Sequence, residues 1–306
     1  MTEESIVEAE IADFHRWLSA VTAEAVERFG PEDRLGTANF VDTAARLRAA
    51  TCIRSGEAVD LARPLVDGPG FHVETTFDPT GSFGLDRIEA ECHGYAKTHM
   101  DALNHVSADG VFYGGRSLGD DLPSIADLAG RCLFTRAVFA DIPAVRDAPW
   151  VAADRPVTGA EIDAATNGVD IEPGDALLLY MGRDRWEAEG NALRHEPDHD
   201  GSDGAYSPAQ KPGAGRDAAR WIAEKHISIV GWDFLDAVDL PDLPRDAKGS
   251  VHRLLPAIGL VLIDNCDLGR AASLLRSLGR QTAALAALPL AVPDGTGSIL
   301  APWLIL

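Results

Sequence analysis

Strand-length apolar runs alternate with helix-period segments along most of this chain, but irregularly, and that irregularity narrows the fold more than any other feature. Strict alternation would build a wholly parallel sheet. An irregular order ending in several strand-like runs points instead to an α/β fold with a mixed β-sheet core flanked by helices. Residues 4–29 place Ile6, Ile11, Phe14, Trp17, Leu18, Val21 and Val26 near helical spacing, and Gly30-Pro31 ends the run. A second helix is expected from Asp42 to Ser55, with Gly56 at its C-terminal cap. Strands are expected at Ala58–Ala62, Phe71–Phe77, Ile88–Cys92, Leu133–Phe139, Ala176–Met181, Ile227–Trp232 and Gly259–Ile263, with two more in 281–291 and 298–306. Asp78–Asp86 reads as a turn. Thr158 with Glu161 matches a capping box, Gly215 is an N-cap candidate for a helix over Arg216–Lys225, and helical stretches are expected near Val251–Leu255 and Leu268–Leu278. The 306 residues are expected to form one domain, 1–306, with 1–56 as a helical N-terminal extension.

The formal charge is -21, from 48 acidic and 27 basic side chains. Such a surface repels phosphate backbones and anionic lipid, so neither nucleic acid nor membrane is expected as a partner. Cys52, Cys92, Cys132 and Cys266 lie far apart with no C-x-x-C pair. They read as small buried hydrophobes in a reducing compartment rather than as a disulfide framework or zinc ribbon. The acidic N-terminus has no signal-peptide pattern, and a cytoplasmic location is expected. Residues 190–215 are rich in Gly, Asp and Pro and read as a long surface loop or a lid. Its His195 and His199 are possible metal ligands or solvent-facing side chains.

Chemistry concentrates in the run His99-Met-Asp101-Ala-Leu-Asn-His105. An imidazole and a carboxylate two residues apart can converge on one cation when the backbone is extended or looped. A further imidazole six residues on can lie beside such a site as a base. Scattered His and Asp also make ordinary structural hydrogen bonds, and spacing alone does not separate the two.

The wider block HGYAKTHMDALNH, followed by Asp109-Gly110 and Tyr113-Gly114-Gly115, resembles the H-x-G-T-H-x-D-x-x-x-H signature of the cyclase superfamily. That family includes bacterial kynurenine formamidases and isatin hydrolases. Gly36-Thr-Ala-Asn39 is similar to its G-T-x-N element, and Pro173-Gly-Asp175 through Gly182-Arg183 to its P-G-D strand. His252, twelve residues before Asp264, is similar to its second ligand block, and Gly295-Thr-Gly-Ser298 to its C-terminal turn. The matching elements run in family order from about residue 35 onward.

The resemblance implies a swivelling β/β/α-like fold, a homodimer or higher homo-oligomer, and one divalent metal ion, Zn or Mn. It makes His99, Asp101, His252 and Asp264 the metal-ligand candidates and His105 the general acid/base. No cysteine is among them, which argues against a thiolate site. Thr98 is expected to support the loop through a hydrogen bond. Tyr95 and Lys97 stand where the family carries His and Gly. Tyr95 is then a pocket wall, a substrate hydrogen-bond donor or a packed aromatic, and Lys97 points away from the cation or acts on substrate. His93, on the same face of an extended segment, is an alternative imidazole. Phe14, Trp17 and Arg183 complete the substrate-binding candidates, Phe14 and Trp17 as walls and Arg183 as an anion holder. Asp233 either lines the site or caps the next turn. The implied activity is metal-dependent hydrolysis of an amide, lactam, ester or lactone in a small cyclic or aromatic substrate. A non-hydrolytic cyclase or isomerase, or a metal-free binding protein on the same fold, stays open as an alternative.

Overall fold

The computed structural model describes residues 3–68, 70–193, 211–237 and 250–306, with side chains from residue 9 onward. His195, His199 and most of the 190–215 stretch lie outside these residues. The chain begins with α1 (Glu3–Phe29), a 3₁₀ turn (Gly36–Phe40), α2 (Thr43–Ala50) and β1 (Ala58–Asp60). There follow β2 (Phe71–Phe77), β3 (Gly84–Ala90), β4 (His99–Asp101), β5 (Val111–Phe112), β6 (Arg116–Ser117), α3 (Ile125–Ala129) and β7 (Phe134–Asp141). Next come α4 (Ile142–Arg146), α5 (Gly159–Ala165), β8 (Ala176–Tyr180), α6 (Arg183–Ala188), α7 (Arg216–Glu224) and β9 (Ile229–Trp232). The chain closes with α8 (Leu254–Ile258), β10 (Val261–Asp264), α9 (Gly269–Leu278), β11 (Thr282–Ala286), β12 (Gly297–Ile299) and β13 (Trp303–Ile305).

Nine strands make one mixed sheet, in the order β1-β13-β11-β7-β8-β9-β10-β4-β12. The central four, β7 to β10, run parallel. Parallel neighbours need crossovers, and the helices between them cover the sheet. That is why β8 reads Ala-Leu-Leu-Leu-Tyr with no polar alternation. Leu177 and Leu179 enter one core with α5, α7 and α8, while Ala176, Leu178 and Tyr180 enter the other with α3 and α9. Each fully buried leucine contributes roughly 1.5–3 kcal/mol. Strands β4 and β12 on one side and β11, β13 and β1 on the other pair antiparallel, which makes the sheet mixed.

Most expected elements are present, with shifted ends. Helix α2 stops at Ala50, and β3 starts at Gly84 because the Asp78 carboxylate tightens the turn by accepting from the Ser82 and Phe83 N–H groups. The expected helix near 251–255 lies at Leu254–Ile258 and ends on Gly259 at φ +65°. The short helices α3, α4 and α6 were not anticipated; at five or six residues they show no apolar period, only their caps. Among the cysteines, Cys52 and Cys266 are buried and Cys92 partly so, but Cys132 is exposed, against expectation. Among the described residues no helix is long and apolar enough to cross a membrane.

The N-terminal segment is built into the sheet by backbone contact. Gly36, at φ +52°, lies so close to Gly259 that an added Cβ would sit 2.2 Å from the Gly259 carbonyl oxygen. Thr37 donates its N–H to that oxygen at 2.9 Å and its hydroxyl to Ser228 O at 2.7 Å. Gly36→Ala is therefore expected to destabilise the fold by about 3 kcal/mol or more, read from urea unfolding. An unchanged midpoint would mean that this contact does not join the segment to the sheet.

Candidate metal centre

Side chains alternate across a strand, so β4 sends Met100 into one core and His99 and Asp101 to the other face. Strand β10 pairs antiparallel with β4 and sets Asp264 directly opposite His99. Asp264 also ends a strand of the parallel block, where crevices form in open α/β sheets. On the far side, β12 sets Gly297 opposite Asp101. A Cβ on Gly297 would stand 2.8 Å from His93 Cε1, so the missing side chain is what admits the His93 ring. Thr296 holds that ring at Nε2, 3.0 Å away.

Four side chains then face one another in a ring. His99 Nε2 lies 3.5 Å from Asp101 Oδ1 and 3.8 Å from Asp264 Oδ2. His252 Nε2 lies 3.6 Å from Asp101 Oδ2 and 3.4 Å from Asp264 Oδ2. Ligands held tetrahedrally at about 2.0–2.2 Å from a cation stand about 3.3–3.6 Å apart. These spacings fit that geometry.

Hydrogen bonding points the same way. The His99 Nδ1–H donates to Lys97 O at 2.9 Å, which leaves the Nε2 lone pair facing two carboxylates. The His252 Nδ1–H donates to Asp236 Oδ2 at 2.5 Å, the carboxylate–imidazole pairing that orients metal ligands. Trp232 Nε1–H donates to Asp264 Oδ1 at 2.5 Å and leaves Oδ2 for the ring. Asp101 is 0% exposed, and among the described residues neither of its oxygens has a hydrogen-bond partner; nor has His93 Nδ1, 3.1 Å from Asp101 Oδ1. A buried carboxylate with both oxygens bare is costly unless a cation lies beside it. The donor set therefore fits a divalent metal, and its nitrogen and oxygen ligands suit Zn or Mn.

Burial works to raise the Asp101 carboxyl, but His105, His252, His93 and His99 together hold it well below the usual carboxylate range. Burial would lower His252, yet Asp236 and Asp264 hold it well above the ordinary imidazole value. Without a cation, a proton on His252 offsets part of the negative charge. His105 stands at the edge of the ring, its Nε2 3.9 Å from Asp101 Oδ1 and its ring stacked 3.7 Å from that of His93. Burial, helped by His93 and His252, pushes it down to about 4 against the pull of Asp101.

Of the residues expected at the site, His99, Asp101, His252, Asp264 and His105 come together; the others do not join the ring. His93, not Tyr95, supplies the further imidazole. It forms a second possible donor group with Asp101 and His105. The ring of Tyr95 lies under the Lys211 ammonium, 5.7 Å away. Lys97 is buried with its ammonium turned toward Gly70 and Glu91, because a Cβ on Gly70 would lie 2.9 Å from both Lys97 Nζ and Glu91 Oε2. Arg183 is not free to hold a substrate anion. Its guanidinium donates to Glu187, Asp233 O, Asn265 Oδ1 and Tyr95 O, and so braces the loop before β4. Phe14 and Trp17 stack on each other and under Arg220 of α7, which makes them packing residues of α1. Thr98 does support the loop, donating to Asn265 O and accepting from Arg63 N. Asp233 caps α6 by accepting from the N–H groups of Met181, Gly182 and Arg183. Sequence reasoning missed Asp236 and Lys211, which carry no local pattern.

The model of a family described as "Putative cyclase" matches residues 59–237. No curated protein matches the chain. Among solved structures it is similar to a novel cyclase, 25% identical, with a TM-score of 0.73 over 91% of this chain and 96% of that one. It is also similar to isatin hydrolase A from Labrenzia aggregata bound to benzyl benzoate, 20% identical, with a TM-score of 0.57 over 84% and 94%. Isatin hydrolase A from Ralstonia solanacearum is 22% identical, with a TM-score of 0.56 over 86% and 95%. At these identities the two hydrolases share the fold.

A metal bound at His252 Nε2 would compete with the proton that Asp236 and Asp264 favour there. Calorimetric titration with Zn²⁺ or Mn²⁺ in buffers of different ionisation enthalpy is expected to show release of about one proton at neutral pH, and affinity rising with pH. His252→Ala should abolish most of that release. Metal uptake by His252→Ala with wild-type affinity would remove His252 from the ligand set.

Proposed function

The chain belongs to the cyclase family, and on that premise we propose that it is a metal-dependent hydrolase of a small cyclic or aromatic substrate. The scissile bond would be that of an amide, lactam, ester or lactone. The observation that carries this reading is Asp101, a buried carboxylate whose two bare oxygens face His99 and His252 beside Asp264. One divalent ion held by His99, Asp101, His252 and Asp264 would supply a Lewis acid that polarises a carbonyl and makes water acidic near neutral pH. The chain's own groups do the rest. His105 stands beside the ring, and its low proton affinity keeps it neutral and able to take a proton from water at Nε2. The same nitrogen can return that proton to the leaving group. The stacked His93, tied to Thr296, fixes the plane of the His105 ring. Asp236 and Trp232 hold His252 and Asp264 in place.

Isatin, a cyclic amide, is a suitable first substrate, assayed with metal-loaded protein and ¹⁸O-labelled water. Label in the product is expected; its absence from a turned-over product would exclude hydrolysis. His105→Ala should keep its metal and lose about 10²–10⁴ in rate. A base must be unprotonated to act, so activity is expected to hold through mildly acidic pH and to fall as pH drops toward about 4. Full activity in His105→Ala would rule out this base.

The proposal extends to a homo-oligomer, supported by the hairpin of β2 and β3. Two-stranded hairpins are marginal alone in water, and this one exposes Phe77, Phe83, Leu85 and Ile88. A second copy covering it would remove that apolar surface. Sedimentation is expected to give a dimer or larger species, reduced to monomer by Leu85→Lys with Ile88→Lys. A monomeric wild type would refute this part.

A further inference from the structure

Lys211, five residues before α7, is 5% exposed, yet none of the described residues pairs it with a carboxylate. Its Nζ donates to the backbone oxygen of Asp236 and stands over the face of Tyr95, 5.7 Å from the ring centre. The nearby acids are committed elsewhere. Asp236 turns its carboxylate to Val251 N–H and His252. Asp264 turns its own to Trp232 and His252. An ammonium has three donors, and one hydrogen bond among the described residues leaves two of them open. Burying a charge this deeply is costly unless something of opposite sign comes to it. Burial pushes Lys211 down to about 8, with Asp236 and Asp264 holding it up, so most of it stays charged at neutral pH.

We infer that Lys211 is an anion anchor beside the metal centre, which binds a carboxylate carried by the substrate or formed from it. The inference rests on the hydrolase reading for its chemistry, because cleavage of an amide or ester leaves a carboxylate. It narrows the substrate class to small molecules whose product acid reaches both the metal centre and this ammonium. Asp236 links the two places, since its backbone oxygen holds Lys211 and its side chain holds His252. The face of the Tyr95 ring lies against the ammonium on one side and helps to hold its charge there.

The test uses the full chain, benzoate as the anionic probe and benzamide as its neutral counterpart, with metal content measured in the same samples. Wild type is expected to bind benzoate more tightly than benzamide. Lys211→Met should weaken benzoate by about tenfold or more, and leave benzamide and metal content unchanged. Lys211→Arg should restore benzoate binding to within about threefold, which a packing role would not do. Equal benzoate affinity in wild type and Lys211→Met would overturn the anchor, as would a parallel loss of benzamide binding or of metal. A metal-free wild type that still prefers benzoate through Lys211 would sink the hydrolase reading and keep the anchor.

Discussion

Everything around the centre depends on one electrostatic constraint, a carboxylate buried without a hydrogen bond. Asp101 ends the three-residue strand β4, which lies between two antiparallel neighbours, and has no water-facing side. Its charge cannot be left bare in a medium of low dielectric. Four imidazoles gather around it, and a second carboxylate faces it across the ring. Two of those imidazoles, His99 and His252, have their other nitrogen tied to an oxygen acceptor, so their remaining nitrogens are aimed inward. A cation would satisfy this arrangement, and without one a proton on His252 offsets part of the charge.

Holding that arrangement is work for residues far from it. Gly174, at φ +92°, meets Phe40 O so closely that a Cβ would lie 2.3 Å from it, and Asp175 beside it is locked by Arg48 and Arg136. Gly36 and Gly259 touch backbone to backbone. Asp233 caps α6, and Arg183 at the start of α6 ties Asn265 to the carbonyl of Tyr95. Asn265 in turn donates to Gly94 O and Lys97 O. Segments that resemble family elements separated by a hundred residues or more are thus neighbours in space, and the loop that carries His93 and His99 is strapped from below by two of them.

The sequence showed the large elements well, because their signals are local. Helices α1, α7 and α9, the capping box at Thr158 and the apolar runs of β7 to β10 follow from period, caps and turn residues. It also showed the core of the ligand set, since His99, Asp101 and His105 lie in one run and His252 with Asp264 in another. The short strands β4, β5 and β6 and the short helices α3, α4 and α6 escaped, because they are too short to have a period. The site's periphery escaped for another reason. His93 takes the place expected for Tyr95 only because Gly297, two hundred residues later, leaves room for its ring. Phe14, Trp17 and Arg183 have the residue types of a pocket, but α7 and the loop before β4 claim them first.

The sequence by itself determined that this chain builds a helix-flanked mixed sheet and clusters imidazole and carboxylate side chains in two runs, because strand and helix periods and residue spacings are properties of neighbouring residues. Only the tertiary structure decided which imidazole joins Asp101, that Arg183 is a brace, and that Lys211 stands buried against the backbone oxygen of Asp236 with no ion pair among the described residues. Those outcomes depend on which distant backbones touch and where burial leaves a charge without a partner. No short stretch of sequence contains that information, since the free energy of a buried charge is set by what the fold packs around it.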